Sequence, residues 1–475
     1  MSRTLLAWVF VLITTVLVAW QAAQSETVKS DEAELYRLFV DALEHVDRNY
    51  VKEVNRRELI EHAINGMLEE LDPYSNFIPP TEFKQFNQAT TGKFGGVGIQ
   101  VRPKKQSEPF LEVLSPVLGT PAYEAGILAD DRIISVNGKP VEGMSQNEVV
   151  ENLTGEPGTP VTVSVKHSPY EEPAVDITLT RALINIQSVL GEGHQPDDSW
   201  NYFIDPEQKI AYIRVTSFVQ ETAAELRRSL EKVQADGVKG VIIDLRDNPG
   251  GLLTSAIEIC DLFLKEGVIV STKGRNTQDK SYTATADEIL AGIPMAILIN
   301  RWSASASEIV SACLQDHHRA VVIGERSFGK GSVQNVIELD DGKSALKLTT
   351  ASYRRPSGKN IHRFKDSKEE DDWGVRPDEG FLITLSDEAH RAYLVERSKR
   401  DRVRGKRADG SHPEPPSKPS VDESKKDPAE AGDKPSAPDE ANEKEPASPV
   451  DTQLAKAVEF IRGKINAPAP TVETK

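Results

Sequence analysis

Three stretches of this sequence combine reactive side chains with the main-chain geometry such side chains need. The densest is Asn300-Arg301-Trp302-Ser303-Ala304-Ser305-Ala306-Ser307-Glu308, where a buried strand stops and a helix over Ile309–Gln315 follows. A serine at a strand-to-helix turn is placed as a nucleophile, because the helix N-terminus supplies unpaired N–H groups and the positive end of a dipole. Any of the three serines fits. The alternative is structural: Ser305-x-x-Glu308 is also a capping box, and a capping serine needs no chemistry.

The second stretch, Gly324-Glu325-Arg326-Ser327-Phe328-Gly329-Lys330-Gly331-Ser332-Val333-Gln334, follows a strand over Ala320–Ile323. Lys330 lies between two glycines, which let another segment approach closely. If the chain is extended past Gly331, Lys330 and Gln334 point to one face and can share a site. A lysine is a general base only when neutral, and lowering its pKa from about 10.4 to about 7 takes roughly 4–5 kcal/mol of desolvation or neighbouring positive charge. Such a site must be apolar and closed. A side-chain amide such as Gln334 can orient a neutral amine without adding an anion. The alternative is a solvated loop cation.

The third stretch is the strand Val241-Ile242-Ile243-Asp244-Leu245 running into Arg246-Asp247-Asn248-Pro249-Gly250-Gly251. Backbone N–H groups at a Gly-Gly turn can face a developing oxyanion, and losing one such donor costs about 3–4 kcal/mol of transition-state stabilisation. A phosphate loop is the rival, but no G-x-x-x-x-G-K-[ST] or G-x-G-x-x-G follows the strand. A Ser-His-Asp triad through Asp316-His317-His318 fails on distance, because twelve helical residues put His317 roughly 18 Å from Ser305. Those histidines are expected to face solvent, which leaves lysine as the better base. Earlier in the chain, Lys93-Phe94-Gly95-Gly96-Val97-Gly98 feeds a short strand, an arrangement able to capture a terminal carboxylate on loop amides while the strand pairs with an extended peptide.

The elements around these clusters fall into distinct segments. Residues 31–70 carry apolar positions at helical spacing, with Gly66 and Asp72-Pro73 as breakers. From Phe94 to about Thr180 short β runs alternate with Gly/Pro turns, interrupted by one helix that Ser145-x-x-Glu148 opens. From about 209 to 352 near-continuous apolar strands alternate with helices, the pattern of a layered α/β core. Residues 401–450 hold nine prolines and no aromatic, Leu or Ile, so they are read as a disordered tether. Helical period returns over Asp451–Ile465, with Leu454, Ala457, Val458 and Ile461 on one side.

The 475 residues imply two to four domains. Lys+Arg of 57 against Asp+Glu of 74 gives a net charge of −17, which argues against nucleic acid as a partner. Cys260 and Cys313 match no disulfide framework and no metal-ligand spacing. Near the start, Arg3 precedes the apolar run Leu5–Trp20, roughly 24 Å if helical, read as an export segment. Signal peptide and uncleaved anchor are both open; Trp20 and Gln21 stand where a cleavage site wants small residues, which favours an anchor with the bulk of the chain outside the cytoplasm.

The segments 94–138, 241–251, 300–316 and 324–334, together with Asn49-Tyr50-Val51, Gly66-Met67-Leu68-x₂-Leu71-Asp72-Pro73-Tyr74-Ser75 and Tyr353-x₂-Pro356-Ser357-Gly358-Lys359-x-Ile361, resemble in order and spacing the carboxyl-terminal processing (tail-specific) proteases. The resemblance spans roughly residues 35–385. It implies an α/β fold: a crotonase-like (ClpP/crotonase-type) serine protease core, an inserted β-rich PDZ domain and an N-terminal helical module. The resulting partition is 1–24 signal or anchor, 25–83 helical module, 84–180 PDZ domain, 181–400 protease core, 401–450 linker and 451–475 C-terminal helix and tail.

By the same resemblance Ser305 is the nucleophile, Lys330 the base and Gln334 the amide that orients it. The oxyanion donors are then the N–H groups of Ala306 and Gly251, with Gly250 as fallback. Gly95, Gly96, Val97 and Gly98 form the carboxylate-binding loop, and the helix from Ser145 is the far wall of a peptide groove. No cofactor and no metal is implied. The expected partners are protein or peptide substrates with free C-terminal tails, with residues 31–70 and 451–465 as candidates for self-assembly. The expected activity is that of an exported endopeptidase that works through an acyl-enzyme.

Overall fold

The computed structural model describes residues 33–170, 172–276, 278–285, 288–407, 409–411 and 451–467. The export segment and residues 412–450 of the linker lie outside these. The chain divides into two compact units, one of residues up to Phe83 with Gln334–Thr349, the other of Lys84–Val333 with Thr350 onward.

In the first unit, helices span 33–49 and Arg56–Glu69, the second capped by Asn55, whose side chain accepts from Arg57 N and Glu58 N. The strand Asn76–Ile78 pairs antiparallel with Ala345–Lys347, Phe77 opposite Leu346. Leu35, Leu38, Phe39, Met67 and Leu71 remain exposed.

The β-rich part of the second unit is an antiparallel sheet in the order Ile99–Val101, Leu111–Pro116, Arg132–Val136, Pro160–Lys166, Val175–Thr180. Along Pro160–Lys166 every second residue from Val161 is buried, the alternation of a strand with one face on a core. The foreseen helix is Gln146–Leu153, opened by a full capping box at Ser145 and Glu148. Its Val149 and Leu153 pack with Val97, Leu111 and Val163 in one apolar cluster. The short strand expected after the glycine loop does not run on from it. Gly98, at φ +82, separates the two, so Lys93–Gly96 pairs with Ala182–Asn185 while Ile99–Val101 becomes the edge of the larger sheet.

The α/β part is built on Val189–Leu190, Ile210–Val215, Gly240–Asp244, Met295–Ile299 and Val321–Gly324, in that order. The last four are mutually parallel, in the register Ile213, Ile243, Ile297, Val322. Gly240–Asp244 and Met295–Ile299 are wholly buried, as two-sided coverage requires. Helices Thr222–Ala235, Leu253–Asp261 and Ala306–Asp316 share one core cluster, which also holds the free Cys260 and Cys313. The C-terminal helix Thr452–Asn466 covers the other face, its Ala457 and Ile461 packed among Ile210, Tyr212, Ile242 and Leu298. That helix, offered by sequence as an assembly element, has thus spent its apolar side within the chain.

Beyond residue 386, two features were not foreseen. A helix spans Asp387–Arg400, with low amphipathicity in its sequence and Ser386 as its cap. The chain then continues as a bound strap, so the first residues assigned to the linker are held in place. Ser115 Oγ donates to Val403 O and accepts from Val403 N, both at 3.0 Å; Ala129 N donates to Arg404 O at 3.1 Å, and Arg402 and Lys406 pair with Asp130 and Glu124. Composition alone hides this, because the basic residues find their acidic partners only in the folded sheet.

Candidate active site

The strands Gly240–Asp244, Met295–Ile299 and Val321–Gly324 are neighbours and parallel, so their carboxyl ends open on one edge of the sheet. Open α/β sheets place their sites at such an edge. The three stretches singled out by sequence are the three loops that leave it.

At the middle loop Ser305 has φ 55 and ψ −112. A non-glycine residue in such a conformation costs on the order of 1–3 kcal/mol and persists only where its surroundings hold it. Here they do. The Glu308 carboxylate accepts Ser305 N–H at 2.8 Å, and Glu308 N–H reaches the Ser305 carbonyl at 2.9 Å. The capping box is present, but these two bonds hold the turn without calling on the hydroxyl. The Ser305 hydroxyl lies against the buried phenol of Tyr353, which burial pushes up to about 12 and the Ser305 hydrogen bond opposes. The other two serines are committed: Ser303 Oγ donates to Leu245 O at 2.8 Å, and Ser307 Oγ to Asn248 O at 2.9 Å.

Glu308 also ties in the Lys330 loop. Fully buried, it accepts Ser327 Oγ and Gly329 N on Oε1, each at 2.6 Å, and Lys330 N on Oε2 at 2.8 Å. One carboxylate oxygen therefore bridges the Ser305 and Lys330 amides, holding the two backbones within two hydrogen-bond lengths of each other. Burial raises the Glu308 pKa, and the bonds from Ser327, Gly329, Ser305 and Lys330 counter it. Gly331 must be glycine: a Cβ there would sit 2.4 Å from His362 N. Its carbonyl accepts Tyr353 N at 2.7 Å, which brings the tyrosine alongside. Gln334 belongs to the first unit, where its amide donates to Thr349 Oγ1 at 3.2 Å.

The Gly-Gly loop packs on the serine turn. Gly250, at φ +97, would place a Cβ 2.8 Å from Ser305 Cβ and 2.6 Å from Ala304 O. Asn248 organises both loops, its carbonyl accepting Ala304 N at 3.0 Å and its side chain accepting Gly250 N at 2.9 Å. That bond occupies the fallback oxyanion donor and leaves Gly251 and Ala306 as the candidates. The histidine after the serine helix departs from expectation: His317 is half-buried, with Nε2 2.7 Å from Val268 O, in space that Gly267 leaves open.

In the β-rich part, Gly95 accepts Gly155 N at 3.1 Å, which sets the glycine loop beside the C-terminal end of the helix Gln146–Leu153. Lys104 N bonds Gln146 Oε1 at 3.1 Å near the other end. The edge strand Ile99–Val101 therefore runs alongside the helix, with its outer hydrogen-bonding row unpaired in the sheet, the arrangement that admits an added peptide strand.

Comparison with known proteins agrees with this architecture. Residues 209–379 match Peptidase family S41, residues 87–166 match the PDZ domain, and residues 14–80 match the N-terminal domain of the activating protease CtpB. A carboxy-terminal-processing protease of Bartonella bacilliformis is 36% identical over 404 residues, covering 81% of this chain and 87% of that protein. A carboxyl-terminal-processing protease of Synechocystis is 36% identical over 332 residues, covering 70% and 73%. The solved photosystem II D1 C-terminal processing protease is 29% identical, covering 74% of this chain and 93% of its own, with a TM-score of 0.40. The fold is that of a PDZ-bearing serine peptidase of family S41. Within that class, the chain belongs to the carboxyl-terminal processing protease family.

Proposed function

We propose that this chain is an exported endopeptidase that holds the C-terminal tail of a protein substrate at Gly95–Gly98 and along Ile99–Val101, and cleaves upstream through an acyl-enzyme on Ser305. The observation that carries the reading is the Glu308 Oε2 bridge between the Ser305 and Lys330 amides, beside a serine whose hydroxyl lies against Tyr353. In the proposed cycle the neutral Lys330 amine takes the Ser305 proton as Oγ attacks the scissile carbonyl. The amides of Ala306 and Gly251 receive the oxyanion, and the lysine ammonium then protonates the departing amine. Water, deprotonated by the same lysine, releases the acyl group.

Gln334 is assigned to orient Lys330. A crotonase-like ancestry of the core, export through residues 1–24, and self-association through the exposed apolar residues of 33–71 belong to the same proposal. The test is cleavage of an unfolded polypeptide with a free carboxyl end. Ser305→Ala and Lys330→Ala should each abolish it while leaving the melting temperature near that of the parent, and Gln334→Ala should weaken it less. Undiminished cleavage by Lys330→Ala rejects the mechanism.

A further inference from the structure

His390 lies beyond the matched peptidase segment, on the helix Asp387–Arg400, yet it grips two loops of the site. Its Nε2 is 2.8 Å from Asp247 Oδ1, and its ring stacks on Trp302 with centroids 4.1 Å apart and planes 16° from parallel. Trp302 stands three residues before Ser305; Asp247 stands four before Gly251. The side chain is 10% exposed, and its helix is fixed at the start by Ser386, which accepts Ala389 N at 3.1 Å. We propose that His390 is a positioning residue that holds the oxyanion loop against the serine turn through Asp247. The inference rests on the serine-protease reading above.

The argument follows the bonds. Asp247 has φ 58, a left-handed conformation that a non-glycine residue keeps only under restraint. The restraint is a closed ring: Asp247 N donates to Asn300 Oδ1 at 3.0 Å, Asn300 Nδ2 returns to Asp247 Oδ1 at 3.2 Å, and His390 donates to that same oxygen. Asp247 Oδ2 is buried without a protein partner, so the carboxylate depends on what Oδ1 receives. Asn300 Oδ1 also accepts Trp302 N at 3.2 Å, so the ring reaches the serine turn. Without the imidazole the carboxylate loses its closest donor and Trp302 its stacking partner. The Asp247–Gly251 segment can then relax, and an oxyanion donor works only within about 2.7–3.1 Å of the oxygen it meets.

The test uses the full chain with its active sites titrated by a serine-reactive probe, so that misfolded protein is not counted. With a peptide substrate, His390→Ala should lower kcat per titrated site by about tenfold or more while leaving KM within about twofold. His390→Gln, whose amide nitrogen can reach Asp247, should recover most of the loss. Hydrogen–deuterium exchange over residues 245–252 should accelerate in His390→Ala and stay near the parent rate in His390→Gln; Asp247→Asn should accelerate it as well. Unchanged kcat per titrated site, unchanged exchange in His390→Ala, or equal losses in the Ala and Gln variants would each overturn the proposal. The exchange readout needs no turnover, so it judges His390 even if Ser305→Ala were to show that cleavage does not depend on the serine.

Discussion

Glu308 does at the level of one residue what no sequence motif announces. Its place in a capping box was legible, and that reading competed with the serine as nucleophile; in the folded chain the capping box is present and the hydroxyl also lies against Tyr353, so the cap does not exclude the nucleophile proposed above. Three of its four donors lie about twenty residues downstream, so the sequence could not show that the cap also secures the Lys330 loop. Burial raises its pKa above the ordinary 4.5. A carboxyl group whose folded value is raised contributes stability that is fully present below its unfolded value and is lost as pH climbs through the folded one. The thermal midpoint of the parent, measured relative to Glu308→Gln, should therefore fall as pH rises from about 4.5 toward neutrality. A difference that stays flat over that range would contradict the assignment. At neutral pH Glu308→Gln should also cleave more slowly, since an amide NH₂ cannot accept the two donors that each carboxylate oxygen now takes.

At the scale of elements, the runs with strong periodicity read true. The alternation of strands and helices expected over 209–352 is present, and the helix after the serines ends one residue past the expected Gln315 but starts three before Ile309, at Ala306. What sequence missed was set by long-range pairing: the strand Asn76–Ile78 needs Ala345–Lys347, and Asp387–Arg400 shows little apolar striping because only His390, Tyr393 and Arg397 are buried. The strap over Asp401–Arg407 is the clearest case, a charged sequence fixed by acceptors far away in the chain. Ser115→Ala would leave Val403 N and O without their shared partner, at a cost of about 1–3 kcal/mol. Limited trypsin digestion should then cut at Arg402, Arg404, Lys406 or Arg407 several times faster than in the parent. Equal protection would mean that the ionic contacts with Asp130 and Glu124 suffice to hold the strap.

Across the whole molecule, the parallel sheet is closed on one side by helices that follow its strands directly and on the other by Thr452–Asn466. Arg246 locks the latter, bonding Asp244 beneath it and both Asp451 and Gln453 at the start of the helix. Gly240 admits Ile461, since a Cβ there would lie 2.2 Å from its Cγ2. Ile461→Ala should cost about 2–5 kcal/mol in unfolding free energy, and Gly240→Ala should destabilise the chain as well by displacing that side chain. A midpoint in urea unmoved by Ile461→Ala would show that the helix is only loosely seated. The docking of this helix also bears on how the molecule is born. A ribosome has produced every strand and every reactive side chain long before it reaches Ala457, so the nascent polypeptide carries a greasy, half-finished sheet until its closing moments. A message cut short there would yield a protein with all its chemical groups and no lid for its hydrophobic underside, a natural target for chaperones and quality control.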